Sequence, residues 1–213
     1  MIPVRGFEGK TVAVFGLGRT GLSAARALIA GGAKVALWDE KPASREAAAA
    51  EGLNVVDLST SDWSDYAALM LSPGVPLTHP KPHWTVTKAK AAGVEVLGDI
   101  ELFARTVNAA PEHKKPKIIA ITGTNGKSTT TALIGDLCRQ AGRDTRVGGN
   151  IGEGVLGLGS RGCGEIGTAL ATQRPAAHVV QQGLMDAHDC VGCDPRFDVV
   201  GCGVGLFGNE RGE

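Results

Sequence analysis

Twice in this chain a short apolar run meets a glycine-rich loop that opens directly onto a helical pattern. The first instance is "TVAVFGLGRTGLSAARALIA" (11–30) and the second is "IIAITGTNGKSTTTALIGDLCRQ" (118–140). A strand that feeds a glycine loop and then a helix belongs to folds in which strands and helices alternate. Such folds place a parallel sheet under covering helices. The stretch between the two instances keeps that alternation. "KVALWD" (34–39), "AALMLSPG" (67–74) and "VEVLG" (94–98) read as strands, the second running into a Pro-Gly turn. "SREAAAAEG" (44–52), "WTVTKAKAAG" (84–93) and "DIELFARTV" (99–107) read as helices, the last with Asp99 as its cap.

The expected fold class is therefore α/β, a Rossmann-like parallel-sheet domain followed by the beginning of a P-loop α/β domain. Residues 1–107 form the first domain. "NAAPEHKKPK" (108–117), polar and with two prolines, reads as a linker, and 118–152 begin the second domain. From residue 153 to 213 the character changes. This stretch holds four of the five cysteines and no lysine, since Lys127 is the last in the chain. It is read as an atypical Gly/Cys-rich tail that a frameshift near residue 153 has put in place of another continuation. Cys190 and Cys193 stand in a C-x-x-C, but no second pair completes the four ligands of a zinc site.

Composition excludes several classes of function. Formal net charge is zero, which gives no electrostatic footprint for a nucleic acid. No apolar run reaches the ~20 residues of a membrane helix, and the N-terminus has no signal-peptide core. The expectation is a cytoplasmic monomer with neither nucleic acid nor membrane as partner.

The two loops carry the chemistry. In "GTNGKST", Gly123, Thr124, Asn125, Gly126, Lys127, Ser128 and Thr129 hold every part of a phosphate cradle. Glycines let backbone N–H groups approach the phosphates, and the helix dipole adds favourable potential. A lysine supplies charge to the terminal phosphates, and a hydroxyl can bind Mg²⁺. ATP and Mg²⁺ are the implied ligands, with Lys127 as catalytic candidate and Ser128 as metal ligand. The loop is shorter than the common form, which would need glycine at Ile121. The other loop, "GLGRTG" (16–21), is a G-x-G-x-x-G with Asp39 ending the next strand, where dinucleotide-binding proteins place a ribose-binding acid. That spacing keeps an NAD(P)-dependent oxidoreductase in play, although any nucleotide diphosphate would satisfy the same geometry.

Taken in order, "GLGRTGLS" (16–23), "SPGV" with "HP" (72–75, 79–80), "GDIELF" (98–103), "ITGTNGKST" (121–129) and "GGNIG" (148–152) resemble the Mur ligases, in particular their D-glutamate-adding branch. The resemblance covers residues 1 to about 152. It implies an ATP-dependent enzyme of peptidoglycan precursor synthesis, needed for cell-wall growth and division, that joins D-glutamate to UDP-N-acetylmuramoyl-L-alanine. It also implies that Arg19, Thr20, Asp39 and Gly74 contact the uridine nucleotide and that Asn150 approaches the reacting end of that substrate. Lys127 would hold the ATP phosphates and Ser128 a Mg²⁺. The family pattern further includes a Glu and Ser-Ser motif, a metal-binding histidine segment, a modified lysine and a third domain. None of these stands in the sequence, so this chain by itself is expected to be inactive. A binding-only protein for UDP-muramoyl precursors is the alternative reading beside the oxidoreductase.

Overall fold

The computed structural model describes residues 1–111, 118–122, 125–149, 153–158, 168–172 and 197–201. The first sheet consists of β1 (Thr11–Phe15), β2 (Lys34–Trp38), β3 (Tyr66–Leu71) and β4 (Glu95–Leu97), all parallel, in the order β2-β1-β3-β4. Its helices are α1 (Arg19–Ala30), α2 (Pro42–Ala50), α3 (Trp84–Ala91) and α4 (Asp99–Ala109).

The near-continuous apolar runs of β1 and β3 follow from burial on both faces. Along β1, Val12 and Val14 join a core with α1 and α4 residues such as Leu28 and Leu102. Ala13 and Phe15 point the other way, into a second core with Leu58, Trp63 and Val86. In β3 the same alternation sends Ala68 and Met70 to the first core and Leu69 and Leu71 to the second. The buried Trp63 indole is satisfied, donating to the Leu58 carbonyl at 3.0 Å.

Two helix starts differ from the sequence expectation. α2 begins at Pro42, because proline's fixed φ suits the first helical position, where its missing N–H is no loss. Asp99 is not the cap of α4. Gly98 takes that position, and Asp99 is the first helical residue, buried. Desolvation pushes the Asp99 carboxyl above its ordinary value, winning over hydrogen bonds from backbone N–H groups. Its neutral form is thus favoured by folding, and its contribution to stability is lost as pH rises through the raised value.

The second sheet has β5 (Ile118–Thr122), β6 (Thr145–Gly149), β7 (Thr168–Thr172) and β8 (Phe197–Gly201), all parallel, in the order β6-β7-β5-β8. Helix α5 (Lys127–Gln140) follows β5. β7 and β8 come from the stretch read as tail; its cysteines all lie outside the described residues. So do most of the linker, Gly123, Thr124 and Asn150.

Residues 153–158, the start of that same stretch, pack back onto the first unit. Val155 and Leu156, each 1 % exposed, sit in the core shared by α1 and α4. The Leu156 carbonyl accepts from the Ile2 N–H at 2.8 Å. Burial of this turn ties residues 153–158 to the first domain. A three-residue turn carries too little periodicity for sequence to reveal that seat.

Candidate functional site

The order β2-β1-β3-β4 reverses direction between β1 and β3, so the chain leaves these two strands toward opposite sides. Nucleotide ligands of open parallel sheets sit in the crevice opened there, beyond the carboxyl ends of the strands. The residues around that crevice come from the loops after β1, β2 and β3.

After β1, the three glycines of "GLGRTG" do three different things. Gly16 takes φ +92°, a left-handed conformation that L-residues resist, and turns the chain off the strand. A Cβ at Gly21 would stand 1.8 Å from the Gly16 carbonyl oxygen, so Gly21 lets α1 lie against the turn. Gly18, at φ −72°, has nothing within 4 Å of an added Cβ. Its neighbourhood is open at the N-cap of α1, where backbone N–H groups face outward and a phosphate can approach. Arg19 and Thr20 are the first two residues of this helix, Arg19 exposed and Thr20 half-buried.

The loop after β2 clasps the glycine turn. One Asp39 carboxylate oxygen accepts from the Leu17 N–H at 2.6 Å, and the other from the Lys41 N–H at 2.8 Å. Arg45 donates to the Asp39 carbonyl at 2.6 Å and the Glu40 carbonyl at 2.9 Å, its guanidinium lying 4.4 Å from the Trp38 ring centroid. From β3, the Ser72 hydroxyl donates to the Gly16 carbonyl at 2.6 Å, and Gly74 turns the chain at φ +97°. Arg19, Thr20, Asp39 and Gly74 therefore share one edge of the first sheet. Sequence reasoning missed Ser72 as a tie to Gly16, and missed His83 entirely. His83 caps α3, rests on the Phe15 ring at 4.4 Å between centroids, and reaches Glu40 at 3.1 Å.

The second loop leads into α5 through Gly126, at φ +76°, whose carbonyl accepts the Thr130 N–H at 2.9 Å. Lys127 is the first helical residue and half-buried; Asn125, Gly126, Ser128 and Thr129 are exposed. The first turn of α5 carries no acidic residue, and the positive end of the helix dipole lies there. Ser128 could give one oxygen to a Mg²⁺ whose other ligands are phosphates and water. Among the described residues no three His, Cys, Asp or Glu side chains gather as a metal site. Gly154 lies against α1, where an added Cβ would stand 3.6 Å from Ser23 and 3.8 Å from Thr20.

A cavity of about 480 Å³ lies at the far end of α5, lined by Arg139, Arg143, Asp144, Arg146 and Glu153 among others. None of the residues singled out from sequence lines it. Arg139 is paired with Asp136 at 2.7 Å and Arg146 with Asp144 at 3.5 Å, so we place no nucleotide there.

A family model described as Mur ligase MurD-like, N-terminal domain, matches residues 10–98, the span that holds β1 through β4. Over 158 residues, 74 % of this chain, it is 96 % identical to the UDP-N-acetylmuramoylalanine–D-glutamate ligase of Caulobacter sp. (strain K31) and covers 34 % of that protein. Over the same length and shares it is 77 % identical to the ligase of that name from Phenylobacterium zucineum (strain HLK1). A third ligase of that name, from Agrobacterium fabrum (strain C58 / ATCC 33970), is 60 % identical over 159 residues, 74 % of this chain and 33 % of the relative. The chain thus spans about one third of the length of the curated relatives it matches. With its strands, its glycine turn and these identities in agreement, the N-terminal part of this chain belongs to the MurD-like Mur ligase family.

Proposed function

We propose that the crevice over β1 and β3 binds the uridine nucleotide of UDP-N-acetylmuramoyl-L-alanine, and that the loop opening α5 binds ATP. The observation that carries this reading is the opening at Gly18 beside the Asp39 clasp, within residues matching a MurD-like N-terminal domain. The diphosphate would lie against the N-terminus of α1, with Arg19 offering charge and Thr20 a hydroxyl. Gly74 gives the chain after β3 a close turn beside it. Lys127 would hold the ATP phosphates, Ser128 would offer its hydroxyl to Mg²⁺, and Asn150 would approach the substrate carboxylate. This is the work of a cytoplasmic, monomeric ligase.

The chemistry follows from the weakness of a carboxylate as an electrophile. Transfer of the γ-phosphoryl group to the substrate carboxylate makes an acyl phosphate and ADP. The amine of D-glutamate then attacks the acyl carbon, the amide forms, and phosphate leaves with the C–O bond pair. Cationic groups at the phosphates offset charge on the transferring group. Mg²⁺, when bound, adds further positive charge there.

The rival ligand is NAD, favoured by the position of Asp39 after β2. Each Asp39 oxygen accepts one backbone N–H and keeps a lone pair for a ribose hydroxyl, so this residue serves either nucleotide, and the match of residues 10–98 to a MurD-like domain favours the uridine one. Calorimetry on the full chain separates the readings. Titration with UDP-N-acetylmuramoyl-L-alanine should give saturable heat and NAD none; the reverse would move the site to a dehydrogenase.

A further inference from the structure

His83 touches three of the elements that surround the crevice. Its Nδ1 faces the Thr85 N–H at 3.4 Å and the Thr85 hydroxyl at 2.9 Å, capping α3. Its ring rests on Phe15, the last residue of β1. Its Nε2 lies 3.1 Å from a Glu40 carboxylate oxygen, in the turn after β2. With Nδ1 accepting from the Thr85 N–H, Nε2 carries the proton and donates to Glu40.

Some contacts that hold the turn at residues 39–41 are close in sequence, and two reach further. Lys41 N–H and the Arg45 guanidinium both bond within six residues of their partners. Asp39 ties the turn to Leu17, and the Glu40–His83 pair ties it to α3, 43 residues away. The His83 side chain is 15 % exposed and that of Glu40 66 %, so the histidine is the fixed partner and the glutamate the held one. On the proposed reading of this crevice, we propose that His83 is a positioning residue for the uridine-nucleotide pocket. It holds Glu40, and through it the β2–α2 turn, so that Asp39 stays closed on the glycine loop.

The test uses three single variants and one double variant of the full chain, each measured for UDP-N-acetylmuramoyl-L-alanine affinity and for Tm. His83→Asn keeps an acceptor for the Thr85 N–H but cannot reach Glu40. Glu40→Ala removes the acceptor, and Glu40→Gln keeps one. His83→Asn and Glu40→Ala should each weaken binding about five-fold, the loss of one net hydrogen bond. The double variant should be no weaker than either single, because both remove one interaction. Glu40→Gln should stay within about two-fold of the unsubstituted chain. Unchanged affinity in His83→Asn and Glu40→Ala, even with lowered Tm, overturns the positioning role and leaves the pocket reading intact. No binding by the unsubstituted chain overturns the pocket reading and this inference with it.

Discussion

Gly21→Ala should lower the Tm of the chain by roughly 6–12 °C, whereas Gly18→Ala, three residues earlier in the same motif, should leave it nearly unchanged. The added Cβ at Gly21 would stand 1.8 Å from the Gly16 carbonyl oxygen and 2.7 Å from the Ser72 hydroxyl. Both are fixed, the hydroxyl by its own bond to that carbonyl, so α1 would have to move off β1. Overpacking of this kind costs about 1–3 kcal/mol, and a clash with backbone belongs at the upper end. At Gly18 the backbone is ordinary and the space is empty. Alanine there gains a little by restricting the unfolded chain and loses a little as a poorer N-cap, for a net within about 0.5 kcal/mol. Its methyl group would project where the diphosphate is proposed to lie, so precursor affinity should fall at least about ten-fold, some 1.4 kcal/mol. Thermal melts and calorimetry on the two variants check this separation of a packing glycine from a ligand-approach glycine. Equal Tm losses in both would show that the opening at Gly18 has been misread.

The second large effect concerns turnover. The 213-residue chain alone should release no phosphate dependent on both UDP-N-acetylmuramoyl-L-alanine and D-glutamate. The chain spans about a third of the length of the relatives it matches. Beside Ser128 the described residues offer no cluster of carboxylates or imidazoles for a metal. Holding a carboxylate and a γ-phosphoryl group in attack geometry supplies about 7–11 kcal/mol in a complete site. At about 1.4 kcal/mol per power of ten, losing much of that removes several powers of ten in rate. ATP should still bind weakly through the α5 N-terminus, and Lys127→Ala should weaken it further. Turnover near one per second, abolished by Lys127→Ala, would show that the chain carries a working ligase site. Precursor binding without turnover is the outcome consistent with both the family membership and the span of this chain.

The layout of the first sheet was legible because its signals are local. "TVAVF" and "AALML" are apolar on both faces, and "GLGRTG" combines a turn glycine with a packing glycine within six residues. β5 starts and ends where the apolar run 118–122 does, and α5 begins at Lys127, after the left-handed Gly126. What stayed hidden depends on contacts distant in sequence. The seat of Val155 and Leu156 in the first core is set by α1 and α4, not by the sequence around them. The Glu40–His83 bond joins residues 43 apart, and nothing near His83 marks it as more than a helix cap. Asp99 illustrates a local rule overridden. An acidic residue before an apolar helix suggests a cap, but Gly98 supplies the extended backbone and Asp99 is drawn inside. At the ligand edge, sequence pointed to Asp39, and what it did not reveal is that the same carboxylate also accepts from the Leu17 and Lys41 N–H groups.

Amide hydrogen exchange with and without UDP-N-acetylmuramoyl-L-alanine tests the central claim most directly, because it reports where the ligand acts. Bound precursor should slow exchange at residues 17–22, at 39–41 and at 74–75, the loops after β1, β2 and β3. Residues 125–130 should respond to ATP instead. Protection by the precursor at 125–130 with none at 17–22, or protection of 17–22 by NAD alone, would contradict the assignment of the first domain to the uridine nucleotide.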